Sequence, residues 1–251
     1  MKQFLFIFFI FIGNLTAQNK TVFDEANMLY NNGNYTEAIS KYEAILKTNQ
    51  HSAELYYNLG NAHYKLNNIA PSIYYYEKAL QLKPNDKDIL NNIVYAKKMT
   101  VDDIQTVPQL GLSKFFNQLT HALTYDNWAK LAIGLMVVFV VLFLFYFFTY
   151  STVYKRLTFV LSFVFLFLAL SSVGLAFQKQ ALDKKNNPAI VFAQESEVKT
   201  EPNLGSPEAF LLHEGTKVQV LDTINNWKKI KLEDGKTGWI LSDDIKLLNV
   251  F

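Results

Sequence analysis

Cysteine is absent from this chain of 251 residues, which excludes disulfide bonds, a cysteine nucleophile, thiolate metal ligands and an acylated lipoprotein cysteine. Histidine is scarce, and its four positions are too far apart in the chain for a metal-ligand spacing. They are His51, His63, His121 and His213. The sequence contains no Gly-x-Ser-x-Gly elbow and no Gly-rich phosphate loop. We therefore predict no catalytic group, no metal site and no cofactor, and we do not expect an enzyme.

An excess of one charge is also missing. The 24 Lys and Arg residues nearly balance the 22 Asp and Glu residues and leave a net charge of +2. Nucleic-acid-binding proteins usually present a basic face, whereas the lysines here are scattered, so we predict no nucleic-acid partner. Apolar residues make up 50% of the chain. Many of them lie in a few continuous runs, so each soluble part must be small.

The N-terminus has the three parts of a secretory signal peptide. Lys2 precedes an apolar run at residues 4–12, and Ala17 follows as a small residue. This order predicts a signal peptide at residues 1–17, because the run is shorter than the roughly 20 residues that a membrane span needs. Cleavage after Ala17 and retention as an uncleaved anchor both remain open. In either case the chain that follows is exported.

An internal repeat follows, in which residues 19–52 align with residues 53–86 at a period of 34. Each copy shows the apolar spacing of two amphipathic helices. Gly33 and Asn67 stand at the turn between the helices, where a left-handed backbone is useful. Residues 87–99 predict one more helix, which covers the open face of the second copy. The aligned positions are Ala26, Tyr30, Gly33, Tyr35, Ala38, Ile39 and Tyr42 in the first copy, and Gly60, Tyr64, Asn67, Ile69, Ser72, Ile73 and Tyr76 in the second.

The repeat resembles the tetratricopeptide repeat (TPR), which implies an all-α TPR solenoid at residues 19–99 with two repeats and a capping helix. As a family, TPR arrays are protein-binding grooves lined by the first helix of each repeat. By position, the resemblance implies a partner-binding groove of Phe23, Asn27, Tyr30, Tyr57, Asn61, Tyr64, Asn91 and Tyr95. The tyrosines could instead pack the superhelix, and we expect Tyr42 and Tyr76 in the core. Family members that grip a C-terminal carboxylate carry basic residues where Phe23 and Asn91 stand, so we predict no such grip.

Residues 100–128 are predicted to form a polar linker and a juxtamembrane amphipathic helix. Its apolar stripe consists of Leu112, Phe115, Phe116, Leu119 and Leu123. Such a helix could lie in the membrane interface or pack on the repeats. Tyr125 and Trp128 then stand where interfacial aromatic residues are common.

Two apolar segments, residues 129–150 and 157–177, are each long enough to cross the roughly 30 Å core of a bilayer. Only residues 151–156 separate them, so the two transmembrane helices must form an antiparallel hairpin with both outer ends on one side. Neither segment has Asp, Glu, His or Arg in its middle, which argues against an ion route and favours an anchor. An exported N-terminus places both soluble modules in the periplasm, with Lys155 and Arg156 in a short cytoplasmic turn. We therefore expect a multi-pass protein of the cytoplasmic (inner) membrane.

Beyond a polar linker at residues 178–187, residues 188–251 predict a small all-β barrel. The predicted strands lie at residues 190–193, 210–212, 217–221, 227–232 and 238–241, and several alternate apolar and polar residues. The pairs Asn225-Asn226 and Asp234-Gly235 predict hairpin turns.

This module resembles the bacterial SH3-like (SH3b) domain. The resemblance is carried by the proline-containing loop at residues 197–207, by Gly215-Thr216, by Gly235-x-x-Gly238-Trp239 and by a closing segment at residues 245–248. Lys199 stands where the family usually has arginine, so the loop is atypical. Trp227 and Trp239 form the candidate surface, and each could be structural or ligand-binding. SH3b domains often accompany cell-wall hydrolases, so peptidoglycan is a possible ligand.

The order of signal, TPR pair, membrane hairpin and SH3b domain resembles the BatE-type family of bacterial aerotolerance operons. That resemblance implies an envelope scaffold linked to oxidative-stress tolerance. It also implies partners among von Willebrand A-type domain membrane proteins and a MoxR-type ATPase system. The residues alone predict a multidomain membrane protein that binds partner proteins through its TPR groove. The alternative is cell-wall (peptidoglycan) binding through the SH3b domain.

Overall fold

The computed structural model describes residues 19–104 and 111–248. The predicted signal peptide at residues 1–17 therefore lies outside the described residues. The described chain divides into two compact units. One comprises residues 19–104 together with residues 187–248, and the other comprises residues 111–186.

The first part of the larger unit is an array of five helices. They are α1 (residues 19–31), α2 (Tyr35–Leu46), α3 (Ala53–Lys65), α4 (Ile69–Leu82) and α5 (Lys87–Lys97). The predicted turns are confirmed, because Gly33 and Asn67 have φ angles of 82° and 61° between the paired helices. Ser52 and Asp86 precede α3 and α5, and their side chains accept the first free backbone N–H groups.

Close packing between the paired helices depends on one small residue. A Cβ atom on Gly60 would lie 2.6 Å from Cδ1 of Tyr76, so only glycine lets α3 and α4 approach this closely. Tyr42 and Tyr76 are almost fully buried at equivalent places in the two repeats, as the sequence predicts for these two tyrosines. Leu59 and Ile73 complete the centre of the array.

The second part of the larger unit is an antiparallel barrel-like sheet of seven strands. They are β1 (Pro188–Val191), β2 (Glu195–Lys199), β3 (Glu208–His213), β4 (Lys217–Ile224), β5 (Trp227–Lys231), β6 (Thr237–Leu241) and β7 (Ile245–Leu247), in the order β3-β2-β6-β5-β4-β1-β7. Asn225 and Gly235 adopt positive φ angles of 51° and 93° in the two predicted hairpin turns, which are confirmed. Strand β2 lies in a region where the sequence predicts only a loop. Its alternation of apolar and polar residues is short and mostly charged, so the pattern does not indicate a strand.

Strand β1 explains how the barrel joins the array. All four of its residues are buried, although successive side chains of a strand point to opposite faces. Ala189 and Val191 belong to the core of the barrel. Ile190 belongs instead to the core of the helical array, together with Leu248. One strand therefore serves two cores.

The smaller unit contains α6 (Leu112–His121), α7 (Tyr125–Phe148) and α8 (Thr152–Lys185). Helices α7 and α8 pack along their length as an antiparallel pair, with Tyr146 against Phe159 near the turn. At the other end the Ser172 hydroxyl donates to the Trp128 carbonyl at 2.8 Å, and Trp128 Nε1 donates to the Thr120 carbonyl at 3.3 Å. These two bonds tie α8, α7 and α6 together.

Helices α7 and α8, of 24 and 34 residues, are both long and apolar enough to cross a membrane. The expectation of a polar linker at residues 178–187 is wrong in one respect, because α8 continues without a break to Lys185. Lys179 and Asp183 pair at 2.6 Å across one turn of this extension, which supports a helix in polar surroundings. The TPR-like array, the two apolar helices and the SH3-like sheet confirm the predicted fold class.

Candidate protein-binding groove

The first helices of the repeats are joined by a hydrogen-bond ladder that begins at Asn27 on α1. The Tyr42 hydroxyl on α2 donates to Oδ1 of Asn27 at 2.6 Å, and Nδ2 of Asn58 on α3 donates to the same oxygen at 2.9 Å. One amide oxygen therefore links both helices of the first repeat to the first helix of the second repeat. Burial raises the pKa of Tyr42 to about 12, so its hydroxyl stays protonated and keeps donating.

The same arrangement recurs one repeat later, at Asn61. The Tyr76 hydroxyl donates to its Oδ1 at 2.6 Å, and Nδ2 of Asn92 on α5 donates to that oxygen at 2.9 Å. Asn92 also donates to the Tyr57 hydroxyl at 2.9 Å. Each partner stands 34 residues beyond its counterpart in the first repeat. The carbonyl oxygens of Asn27 and Asn61 therefore hold the array together. The resemblance to TPR arrays instead implies that these two residues contact a ligand.

The aromatic residues of the predicted groove follow the same period. The Phe23 ring lies 5.7 Å from that of Tyr42, and the Tyr57 ring lies 6.1 Å from that of Tyr76, between centroids. Both pairs are tilted, with interplanar angles of 57° and 47°, and their centroid distances fall in the range typical of interacting aromatic rings. The Phe23 and Tyr57 rings are half-buried, so each packs on the array with one part and faces the groove with another.

The remaining predicted groove residues differ in their exposure to solvent. Tyr30 and Tyr64 are half-buried, and the Tyr30 ring packs at 5.3 Å against Tyr35. Asn91 is exposed on α5. Tyr95 is 57% exposed, with Nζ of Lys98 at 5.4 Å from its ring centroid. The most accessible polar and aromatic surface of the predicted groove therefore lies on α5.

Two cavities open between successive first helices, and they are related by the repeat. The first, of about 440 Å³, lies between α1 and α3 and includes Lys20, Phe23 and Glu54. The second, of about 210 Å³, lies between α3 and α5 and includes Glu54, Tyr57 and Asp88. The three matching pairs of lining residues are each 34 positions apart. A partner segment that crosses successive repeats would therefore meet two similar recesses.

Sequence reasoning missed several residues of this surface. Asn58 and Asn92 complete the ladder, while Glu54, Lys83 and Asp88 line the cavities. The Lys83 ammonium pairs with the Glu54 carboxylate at 3.3 Å across the inter-repeat edge, an exposed pair that contributes little stability. The signal that could have found Asn58 and Asn92 is the period itself, since the two asparagines stand 34 residues apart on first helices.

The two tryptophans of the barrel are buried. Trp227 opens β5 opposite Leu241, and Trp239 lies on β6 opposite Lys229. Each indole is less than a tenth exposed, and Nζ of Lys229 lies 5.9 Å from the Trp239 ring centroid. Among the surfaces of the barrel, the loop at residues 200–207 is more open, and its Leu204 is 77% exposed. The loop is therefore more accessible to a ligand than either indole ring.

Within residues 19–104 and 111–248, no group of three or more Asp, Glu and His side chains is arranged to hold a metal ion. The groove therefore offers aromatic rings, amides and a few charges, which are groups for recognition.

Two family models match parts of the chain. Residues 23–87 match the tetratricopeptide repeat, and residues 197–246 match the bacterial SH3 domain. No curated protein matches the chain. Both matched domains are non-catalytic interaction domains. The first suggests protein binding and the second suggests cell-wall binding.

Proposed function

We propose that this chain is a membrane-anchored scaffold whose TPR groove binds a partner protein. The observation that carries the proposal is the repeated groove, in which two equivalent recesses are held in register by two equivalent hydrogen-bond ladders. A surface fixed by its own internal bonds is preorganised, so a partner loses less free energy to ordering when it binds. The hairpin of α7 and α8 serves as the anchor.

A test of the groove should use residues that the ladder does not need. Asn91→Ala combined with Tyr95→Ala changes the exposed end of the groove on α5, where exposed substitutions usually alter stability by less than about 0.5 kcal/mol. Leu90→Ala combined with Val94→Ala is the matched control, because both residues are exposed on the neighbouring face of the same helix. Partners would be crosslinked in native membranes, recovered with the chain and identified by mass spectrometry.

We expect the groove variant to lose the partner and the control to retain it. Equal recovery with the groove variant would refute the groove as the binding surface. Loss with the control alone would move the partner to the neighbouring face of α5 and would also contradict the proposal.

A second candidate function, binding to peptidoglycan, is favoured by the match to the bacterial SH3 domain. The loop at residues 200–207 is held by the Ser206 hydroxyl, which accepts from the Glu201 N–H at 3.0 Å and lies 2.7 Å from the Thr200 hydroxyl. Co-sedimentation of the detergent-solubilised chain with purified sacculi tests this function. Leu204→Asp should abolish pelleting. Leu221→Asp, at an exposed position of β4, should not. No pelleting above a control protein would remove this candidate.

The compartment is part of the proposal. Both soluble modules are exported, and the turn between α7 and α8 faces the cytoplasm of a cell with an inner membrane. Single cysteines are clean reporters, since the chain has none. Glu37→Cys and Asn203→Cys occupy exposed sites and should react with a membrane-impermeant maleimide in intact cells, whereas Ser151→Cys should react only after lysis. Protection of the two module sites would place both modules in the cytoplasm and overturn this topology.

The order of modules supports membership of a BatE-type envelope complex linked to aerotolerance. In that setting the groove would bind a von Willebrand A-type domain membrane protein or a component of a MoxR-type ATPase system. Deletion of the chain should then sensitise cells to oxygen or peroxide, and the groove variant should do the same. A groove variant that restores full tolerance to the deletion strain would separate the groove from this role.

A further inference from the structure

The repeat period points to a vacant position after α5. Asn34 and Asn68 immediately precede α2 and α4, the second helices of the two repeats. Asp102 stands 34 residues after Asn68, where the second helix of a third repeat would begin. Residues 101–104 are not helical. After α2 and α4, no further second helix therefore begins at Asp102.

Asp102 bonds to the barrel. Its Oδ2 accepts from the His213 backbone N–H at 2.8 Å and from the Thr216 hydroxyl at 2.5 Å, while its Oδ1 lies 2.7 Å from Nδ1 of His213. Burial alone would raise the pKa of Asp102, but the bonds from Thr216 and His213 outweigh burial and hold it below its usual value. In a third repeat, the Asp102 carboxylate would precede the second helix. Here it accepts hydrogen bonds from the turn between β3 and β4.

The outer face of α4 is covered by the same turn and by the ends of the barrel chain. Gly215, with a φ of 86°, lies so close that an added Cβ would be 3.0 Å from Ile69 Cγ2 and 3.0 Å from Ile73 Cδ1. The rings of Tyr74 and Phe192 meet edge to face at 5.7 Å. Ile190 and Leu248 are buried in the core of the array. In a longer array, this face of α4 would be buried by the next repeat.

Charged groups surround the apolar contact. The Glu77 carboxylate on α4 is bonded by Lys217 of β4 at 2.7 Å and by Lys97 of α5 at 3.0 Å. Burial tends to raise the pKa of Glu77, but the two lysines outweigh it and lower the pKa. Nζ of Lys246 on β7 lies 4.7 Å from the Tyr74 ring centroid, within the range of a cation–π contact. Glu77 therefore pairs with two lysines, and Lys246 faces an aromatic ring.

We propose that the SH3-like barrel is the C-terminal cap of the TPR array. It occupies, on α4, the place that the second helix of a third repeat would take. The TPR groove and the open loop of the barrel then belong to one body, and anything held by the groove keeps a fixed geometry to anything held by the barrel. This inference does not depend on what either surface binds.

The first test compares two glycines of the barrel in the full-length chain. Gly215 and Gly235 have φ angles of 86° and 93°, so alanine carries the same backbone cost at both. Only Gly215 faces α4, whereas a Cβ on Gly235 would meet nothing within 4 Å. We expect Gly215→Ala to accelerate amide hydrogen exchange in α4 and α5 about tenfold, and Gly235→Ala to leave those helices within about twofold of the parent chain. Equal exchange of α4 and α5 in the two variants would overturn the proposal.

The second test remains informative if Gly215→Ala does not fold. Asp102→Cys and Thr216→Cys replace two side chains that meet at 2.5 Å, so mild oxidation of membranes should give a reduction-sensitive change in mobility. The control pair is Asp102→Cys with Asn225→Cys. Asn225 stands beyond the far end of β4, nine residues after Thr216, or about 30 Å along the strand at about 3.3 Å per residue. The control should not crosslink. No crosslink in the first pair, or equal crosslinking in both, would contradict the docked cap.

Discussion

Substitution of His63 should make the TPR array less sensitive to mild acid. His63 is only 9% exposed on α3, and its ring stacks on that of Tyr75 at 5.4 Å. Nδ1 lies 3.2 Å from Nδ2 of Asn68, while Nε2 is buried with no hydrogen-bond partner among the described residues. The residue one repeat earlier is Leu29, so His63→Leu places at this site the side chain that the first repeat uses.

The size of the effect follows from the pKa. Burial first, and then the charge of Lys246, lower the pKa of His63 from 6.5 to about 4. Below pH 6.5, His63 is therefore protonated in the unfolded chain but stays neutral in the folded chain. The free energy of unfolding falls as the pH falls. The loss is about 1.3 kcal/mol between pH 7.5 and pH 5.5 and approaches roughly 3 kcal/mol by pH 4. His63→Leu removes this loss.

Amide hydrogen exchange of α3 and α4 in the full-length chain measures the effect locally, after correction for the intrinsic rate at each pH. In the parent chain we expect protection to fall about tenfold from pH 7.5 to pH 5.5, equivalent to roughly 1.3 kcal/mol. In His63→Leu we expect little change. His51→Gln, at an exposed site of the same array, is the control, because glutamine can still bond the Tyr56 hydroxyl that lies 2.7 Å from Nδ1 of His51. It should behave like the parent. If His63→Leu loses protection as steeply as the parent chain, the assignment of the acid effect to a buried neutral imidazole is wrong.

Three further predictions concern the array and its junction with the barrel, and all are measured as changes in the free energy of unfolding of the solubilised chain. Asn61→Ala should destabilise by about 2–3 kcal/mol, because the buried Tyr76 hydroxyl and the Asn92 amide each lose an acceptor; a cost under about 0.5 kcal/mol would contradict the ladder. Gly60→Ala should cost about 1–3 kcal/mol through overpacking against the Tyr76 ring, and a stabilising effect would refute this. The lowered pKa of Asp102 contributes stability above pH 3.9 that is lost as the pH falls further, so Asp102→Asn should lose less stability than the parent between pH 5 and pH 3.

Each of these variants has a matched control in the chain. Asn91→Ala removes an exposed amide on α5, one position from the ladder. Gly134→Ala adds a Cβ to α7 where nothing lies within 4 Å. Asp103→Asn neutralises the exposed neighbour of Asp102. Asn91→Ala and Asp103→Asn should each change the free energy of unfolding by less than about 0.5 kcal/mol. Gly134→Ala should stabilise by up to about 1 kcal/mol, because alanine has the higher helix propensity and no overpacking offsets it.

The fold was largely predictable because its determinants are local or periodic. The 34-residue period specifies five helices, and a left-handed residue at Gly33 and Asn67 specifies the turns between paired helices. Alternation specifies most strands of the barrel, and Asn225 and Gly235 specify its hairpins. Strand β2 escaped detection because pairing with β3 and β6 holds it in place, and a largely charged pentapeptide carries little of that information.

The groove was only partly predictable. Position in the repeat predicts which helices line it, but it cannot show whether an asparagine faces a ligand or a neighbouring helix. Asn27 and Asn61 differ from Asn91 in their contacts: a tyrosine on a second helix and an asparagine on the next first helix donate to their side-chain oxygens. These contacts join residues 15 and 31 positions apart, and no single-helix pattern displays them.

The junction between array and barrel was not predictable from either module. Its partners, such as Glu77 with Lys217 and Asp102 with Thr216, are more than 100 residues apart in the chain. Ile190 reads as an ordinary residue of a buried strand. Only the structure shows that β1 has an apolar face on each side.

A barrel that docks on the helical array of its own chain could also dock on the array of a neighbouring chain. The contact between the array and the barrel is made by two segments on either side of the α7–α8 hairpin, so the hairpin acts as a tether that keeps their effective concentration high. Two such chains held side by side would present the same pair of complementary surfaces. Exchange of barrels between them would reproduce every bond of Asp102 and Glu77 without forming any new interface. A dimer formed by domain swapping would therefore use only contacts that the single chain already makes, and its population would rise with the local density of the chain.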